Sequence, residues 1–568
     1  METNGNGSQA YIITNSQLGL ELDPKDEKDK NENEPKKRNL IFWKCLVFGV
    51  FSGYFLWATI YYVQDLKRLS ISDSACSGYG CLMILYIFIL YGITYTYIIK
   101  PYLEKHVLKF LVYPITSCLK KIKYIDQLFS AAFFLGVFGY LIFDTSDNRS
   151  RLMPISGLLV FLLIGFLMSN NKKKIPWHTV LWGLKLQFIF GFITIRWNVG
   201  RQIFSCIGDK ITTFLHYSQE GAKFVYGDTL VLGEINPETN VRDLGGVFAF
   251  SGILTVYFMA FMINILYYYG IMQKVVKVIG EFLQMVMDTT ICESVNTAAN
   301  IFLGMTEAPL LLKPYLKNLT NSEINSIMTS GFATVAGSVM AAYISYGADP
   351  AALITASVMS APAALCFSKM MVPETEEVKI TKENVDIVEN EYESVLDAAS
   401  QGVSMGLQIV LGICSSVIAF IAFVAFINGI LGWMGILVGF SGENQWSLDL
   451  IAGKIFIPVS YIMGVPWEDC EKVGKLIGLK TMINEFVAYK TMGEMNLTGR
   501  TKMIATYAIC GFSNPGSVGI LISAMVALIP HKKQAILKTI YKSFIGGALV
   551  CFMTACIASM LYPEIALQ

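Results

Sequence analysis

Apolar runs of about 20 residues recur along the chain, separated by short polar connections. A helix rises about 1.5 Å per residue, so each run is long enough to cross roughly 30 Å of hydrocarbon. The pattern predicts spans at about 40–63, 78–99, 127–143, 152–169, 176–196 and 247–272. It predicts five more at about 326–345, 350–371, 403–433, 503–529 and 541–562. Two other stretches, 296–313 and 447–490, are apolar but interrupted by Gly, Pro, Asn and Glu. They read as re-entrant hairpins or broken helices rather than through-spans. Between the fifth and sixth spans, Ile203, Phe204, Ile207, Ile211, Phe214 and Leu215 form a stripe opposite Arg201, Asp209 and Lys210. That is an amphipathic helix lying on the membrane or on the protein. The expected fold class is all-α, a polytopic membrane protein.

Composition narrows the picture further. Of 568 residues 54% are hydrophobic and 15% charged, and the mean hydropathy is +0.51. A soluble domain is about 25% charged, so an ordinary soluble enzyme, a disordered chain and a disulfide scaffold are all excluded. The net charge of +1 offers no field to recruit nucleic acid. Most of the 12 cysteines read as packing residues, Cys510 and Cys551 among them. Cys76 and Cys81 share a short polar loop and could pair if it faces an oxidising compartment.

Charge also sets an expected orientation. Residues 1–39 carry eight acidic and six basic side chains and read as a disordered cytoplasmic tail. The tail ends in Lys36, Lys37 and Arg38, before a first span that reads as retained rather than as a signal peptide. Lys100, Lys105, Lys109, Lys120, Lys121 and Lys123, then Lys172 to Lys174, then Lys274 and Lys277 fall on the same side. Eleven spans put the C-terminus outside and Lys532, Lys533 and Lys538 inside. The acidic stretch 372–400 is then cytoplasmic and reads as a solvated helical connector. The glycosylation sequon at Asn148 lies in a loop counted as external.

An ionisable residue at membrane depth is costly unless it is paired or functional. Glu307 and Glu485 each sit in one of the interrupted stretches. Each precedes a span broken by small polar residues, around Ser338 and Ser517, at separations of 31 and 32 positions. Three spans lie between the two glutamates, so the near-equal spacing reads as an inverted duplication. Inverted repeats with discontinuous helices place a substrate site near the bilayer midplane. This pattern points to a secondary transporter. The bland reading makes both carboxylates structural, and Asn300, Ser338, Asn514 and Ser517 ordinary interhelical hydrogen-bonding groups. Gly402-Val-Ser-Met-Gly406 matches G-x-S-x-G but opens a membrane helix rather than a nucleophile elbow. The four histidines, at 106, 178, 216 and 531, have no ligand spacing.

From about Gly227 to Tyr562 the sequence resembles the concentrative nucleoside transporter family. The resemblance rests on Glu293-Ser294, NIFLGMTEAPLL at 300–311, PYL at 314–316 and GFATVAGSVMAAYISYG at 331–347. ASVMSAPAAL at 356–365, NEFVAY at 484–489 and GFSNPGSVGI at 511–520 complete it. The first three spans and the tail resemble the extension of animal members. The resemblance implies a sodium-coupled nucleoside symporter of the plasma membrane, not an enzyme, with no cofactor beyond the coupling ion. It implies a homotrimer with a mobile domain of two hairpins and two broken helices, moving by an elevator-type alternating access. The chain then divides into residues 1–39 as tail, 40–196 as N-terminal spans and 197–568 as transporter core. By the same resemblance Met305, Thr306 and Glu307 face the nucleobase. Glu485, Asn514 and Ser517 hold the ribose, and Phe512 lines the pocket. Asn300 and Ser338 side chains, with the Leu303 and Val339 carbonyls, match the sodium site, as befits a hard cation. Met305 departs from the family's usual Gln and removes an amide from the base end. Pro515 is a further departure. Proton coupling through Glu307 and a non-transporting receptor are the alternatives.

Overall fold

The computed structural model describes residues 46–64, 76, 78–95, 125–146, 148–232, 249–250, 252–313, 315–380, 392–442, 445–497 and 499–562. The expected tail at 1–39 and the lysines between 100 and 123 lie outside the described residues. Two compact units emerge, residues 1–123 and 124–568. Among the described residues there are helices and no strands.

In the first unit α1 (Leu46–Gln64) and α2 (Tyr79–Thr94) pair through aromatic rings. Phe55 stacks on Tyr86 at 4.1 Å and Tyr62 on Tyr79 at 4.4 Å between ring centroids. Such offset stacks add to the burial of apolar area itself. Cys81 carries a free thiol and Cys76 is disulfide-bonded, so the Cys76–Cys81 bridge considered from sequence does not form.

The second unit opens with α3 (Ile125–Asp144), α4 (Pro154–Leu167), α5 (Trp177–Gly191) and α6 (Asn198–Tyr226). The expected amphipathic stripe lies within α6, which is longer than the stripe. Asp144, at the end of α3, holds both Arg151 and Arg196, and Arg151 also donates to the Met560 carbonyl at 2.7 Å. The expected sixth span is shorter than predicted. It is α7 (Thr255–Tyr268), which bends by 80° into α8 (Ile271–Met287). Lys274 and Lys277, which follow that span, therefore lie on an amphipathic helix. α8 buries Val276, Leu283 and Met287 while Val278 and Met285 stay exposed. Its Gly280 meets Val295 so closely that an added Cβ would sit 2.8 Å from the Val295 Cα.

The predicted span 326–345 is two helices, α10 (Asn321–Ala333) and α11 (Gly337–Ser345). Helix α9 (Ile291–Ala299) and 3-10 turns at Ala308–Leu312 and Leu316–Asn318 precede them. Next come α12 (Pro350–Met371) and α13 (Val395–Leu437). The 43 residues of α13 reach about 65 Å, well beyond a hydrocarbon thickness. Residues 372–380 are not helical, contrary to the expected helical connector. Glu374 instead bonds Thr320 Oγ1 at 2.9 Å and Lys369 at 3.5 Å. The interrupted stretch 447–490 holds α14 (Leu448–Ile462), α15 (Cys470–Met482) and the start of α16 (Glu485–Glu494). The predicted span 503–529 is again two helices, α17 (Gly499–Ile509) and α18 (Pro515–Leu528), before α19 (Lys533–Leu561).

Among the described residues seven helices are long and apolar enough to cross a membrane, or eight if the bent pair counts as one. α13 rests on α7 through Gly402 and Gly406, where an added Cβ at 402 would meet the Ala260 carbonyl oxygen at 2.6 Å. The G-x-S-x-G match is thus a helix-packing seam of small residues. α19 packs against α10 and α17 and is buried without interruption from Leu549 to Leu561.

Gly547 on α19 admits Phe332, with an added Cβ placed 2.4 Å from the Phe332 Cβ. Gly547→Leu should force these two helices apart, a cost of about 1–3 kcal/mol. Thermal unfolding of purified protein should show a lower midpoint for Gly547→Leu. Gly412→Leu, with nothing within 4 Å of the added Cβ, should match the parent.

Candidate functional site

Two breaks in the helices organise this region. α10 ends at Ala333 and α17 at Ile509, which frees backbone groups that helical bonding would otherwise occupy. The Phe332 carbonyl accepts from Ser513 Oγ at 3.1 Å, so one break is closed by the other. Gly511 lets them approach, because a Cβ there would lie 2.8 Å from the Phe332 oxygen. A further join links the turn after α9 to the start of α11, where the Gly337 N–H donates to the Phe302 carbonyl at 3.0 Å.

Glu485 stands in the first turn of α16, where the helix dipole favours a carboxylate. Asn484 caps that helix, accepting from the Val487 N–H at 3.0 Å. Asn514 caps α18, accepting from the Ser517 N–H at 2.8 Å. The same Asn514 donates its Nδ2 to Glu485 Oε2 at 2.7 Å. Tyr343 on α11 donates its hydroxyl to Glu485 Oε1 at 3.1 Å. Glu485, Asn514 and Ser517 therefore form one linked group. Phe512 adjoins them, its carbonyl accepting from the Asn514 N–H at 2.9 Å. All four residues are buried. A carboxylate offers about four acceptor positions, of which Tyr343 and Asn514 take two.

Tyr343 is absent from the residues singled out in the sequence. Its ring stacks on Tyr489 at 4.5 Å and meets Phe486 edge-on at 5.0 Å, which fixes the hydroxyl beside Glu485. An aromatic carried on the helix just after a break was the available signal. Lys480 was missed as well. It is fully buried, and its Nζ has no hydrogen-bond partner.

Glu307 has a different setting. It is half-buried, opens the 3-10 turn Ala308–Leu312, and accepts from the Gly304 N–H at 3.3 Å. It lines a cavity of about 260 Å³ together with Leu303, Asn264, Tyr267, Lys313 and Tyr392. Glu485, Asn514 and Ser517 do not line that cavity. Thr306 is half-buried beside Glu307. Met305 is buried, with its Cβ 2.7 Å from where a Cβ of Gly331 would stand. Only a glycine at 331 leaves room for it.

Asn300 caps the C-terminal end of α9 and donates Nδ2 to Ser330 Oγ at 2.9 Å. Its Oδ1 is buried without a partner, which suits an oxygen meant for a hard cation. The Gly337–Phe302 bond brings the turn carrying Asn300 and Leu303 to the start of α11, where Ser338 and Val339 lie. The four positions proposed for sodium thus belong to two backbone segments that touch.

Family models match three parts of the chain. Residues 156–229 match the Na+ dependent nucleoside transporter N-terminus, 249–350 the nucleoside recognition (Gate) family, and 352–559 the Na+ dependent nucleoside transporter C-terminus. Sodium/nucleoside cotransporter 1 of Oryctolagus cuniculus is 38% identical over 478 residues, covering 80% of this chain and 70% of that one. Solute carrier family 28 member 3 of Rattus norvegicus is 40% identical over 446 residues, covering 75% of this chain and 61% of the relative. The structure of CNTnw in an inward-facing substrate-bound state superposes with a TM-score of 0.66 at 34% identity, covering 73% of this chain and 98% of that one. An outward-facing structure of a CNTnw variant gives a TM-score of 0.67, again at 34% identity, covering 73% of this chain and 99% of that one. The match runs through both interrupted helices and both glutamates, and the chain belongs to the Na+ dependent nucleoside transporter family, multi-pass membrane transporters and not enzymes.

Proposed function

We propose that this protein carries nucleosides into the cell across the plasma membrane, driven by sodium. The observation that carries the reading is the buried, partnerless Asn300 Oδ1 at the junction of two non-helical backbone segments, in a chain whose relatives are named sodium/nucleoside cotransporters. The substrate lies between the two interrupted regions. Met305, Thr306 and Glu307 face its base. Glu485, Asn514 and Ser517 hold its ribose, whose two hydroxyl donors meet the free acceptor positions of an ionised carboxylate. Phe512 supplies an aromatic wall. Asn300, Ser338 and the carbonyls of Leu303 and Val339 take the sodium ion.

The mobile part comprises the two hairpins and the two broken helices, and it slides as an elevator against a scaffold that holds a homotrimer together. The N-terminus is cytoplasmic and the C-terminus extracellular. Residues 40–196 add N-terminal spans to a core of 197–568. One sodium ion descending a potential of roughly 100 mV releases about 2.3 kcal/mol. A tenfold sodium gradient adds about 1.4 kcal/mol. Together they sustain a nucleoside gradient of several hundredfold.

Replacing sodium by choline at neutral pH should abolish concentrative uptake of radiolabelled uridine and adenosine. Uptake that persists in choline and climbs on acidification would establish proton coupling instead.

In Glu485→Gln a donor replaces one acceptor oxygen and confronts the sugar hydroxyls. Losing a charge-assisted bond of about 1.5–3 kcal/mol should weaken apparent uridine affinity at least tenfold, with half-saturating sodium much less affected. Unchanged uridine affinity removes Glu485 from the site.

Met305 offers a polarizable surface that tolerates different ring shapes, so purines should be accepted at least as well as pyrimidines. Met305→Gln should improve uridine relative to adenosine by about 0.5–1.5 kcal/mol, the net worth of one hydrogen bond. Competition assays on both forms decide this, and an identical affinity ratio would show that Met305 only packs against Gly331.

A further inference from the structure

Asn296 lies one helical turn before Asn300, on the same face of α9. Both amides reach a single hydroxyl on α10. Asn296 Nδ2 donates to Ser330 Oγ at 3.1 Å, and Asn300 Nδ2 donates to the same oxygen at 2.9 Å. Ser330 in turn donates to the Ile327 carbonyl at 3.0 Å. A serine hydroxyl has one proton and two lone pairs. With its proton on Ile327, Ser330 can hold both amides only by their nitrogens. Both amide oxygens are therefore turned away from it. Each is buried without a partner, on residues 0% and 1% exposed. A buried acceptor left bare is destabilising, and here two stand bare one turn apart beside the same pivot.

We propose that Asn296 Oδ1 is a sodium-binding oxygen one helical turn before Asn300, and that Ser330 is the positioning residue that turns both amides oxygen-first toward the cation. The inference rests on the sodium reading above and adds two residues to it. Neutral amide oxygens suit a hard monovalent ion. Among the described residues no group of three His, Cys, Asp or Glu could hold a multivalent metal.

The test uses the full chain purified in detergent, with its unfolding midpoint followed as choline chloride is exchanged for sodium chloride in the absence of nucleoside. Sodium activation of uridine uptake, normalised to surface protein, is measured in parallel. Sodium should raise the wild-type midpoint. In the near-isosteric Asn296→Leu, half-saturating sodium should rise at least about tenfold in both assays. The KM for uridine at saturating sodium should stay near the parent's. Ser330→Ala, which releases both amides to rotate, should shift sodium the same way, and Ser330→Thr should restore it. Asn296→Asp keeps an oxygen and should still respond to sodium, which decides the matter if Asn296→Leu does not reach the membrane. Unaltered half-saturating sodium in Asn296→Leu, or equal losses for sodium and uridine, would overturn the proposal and leave Asn296 a structural amide. A wild-type protein whose midpoint and uptake both ignore sodium would defeat the sodium reading itself.

Discussion

Backbone groups released by an interrupted helix cannot be left bare in a hydrocarbon environment, and everything in the second unit follows from how they are satisfied. The break after Ala333 and the break after Ile509 close on each other through Ser513 and the Phe332 carbonyl. The turn after α9 closes on the start of α11 through Gly337 and Phe302. Asn484 and Asn514 cap the helices that restart. Each of these bonds except the caps joins segments far apart in sequence. The interruptions can therefore exist only in the assembled protein, and assembly places their polar groups together.

That arrangement concentrates polar chemistry in one buried region. Glu485 gains the N-terminal end of α16, the amide of Asn514 and the hydroxyl of Tyr343. Asn514 serves two purposes at once, its oxygen capping α18 and its nitrogen fixing Glu485. An amide used at both ends has no freedom to flip, so the carboxylate it orients is held as well. Small residues make the approach possible. Gly511 and Gly547 stand where any Cβ would collide with the end of α10.

The two glutamates related by the sequence repeat are not equivalent in space. Glu485 is fully enclosed, with two side-chain donors. Glu307 is half-buried, receives one long bond from a backbone N–H and lines a cavity. A carboxylate bound on two sides presents a fixed acceptor, whereas one bound on one side keeps its capacity for an incoming partner. Two glutamates at similar spacings in the sequence thus stand in different settings, because the neighbours contributed by other helices differ.

The hydrophobic pattern alone determined the all-helical membrane class, because a 20-residue apolar run has few other ways to satisfy its backbone. It also located both interruptions, since Gly, Pro and Asn act locally on backbone conformation. Glu307, Glu485, Asn300 and Asn514 were legible for a related reason: polar groups at membrane depth stand out against their surroundings. Local pattern could not show that the 255–287 stretch turns through 80°, since the angle between an apolar helix and the amphipathic helix after it is set by what each packs against. Nor could it show that residues 372–380 run without helix to bring Glu374 to Lys369 and Thr320. Tyr343, Lys480 and Ser330 matter only through partners more than a few residues away or, for Lys480, through what surrounds it. Tyr343 reads as an ordinary aromatic on an apolar helix and Ser330 as one more small interhelical residue. Their positions beside Glu485 and beside the two asparagines were decided by tertiary packing, because hydrogen bonds between distant segments leave no periodic trace in the chain.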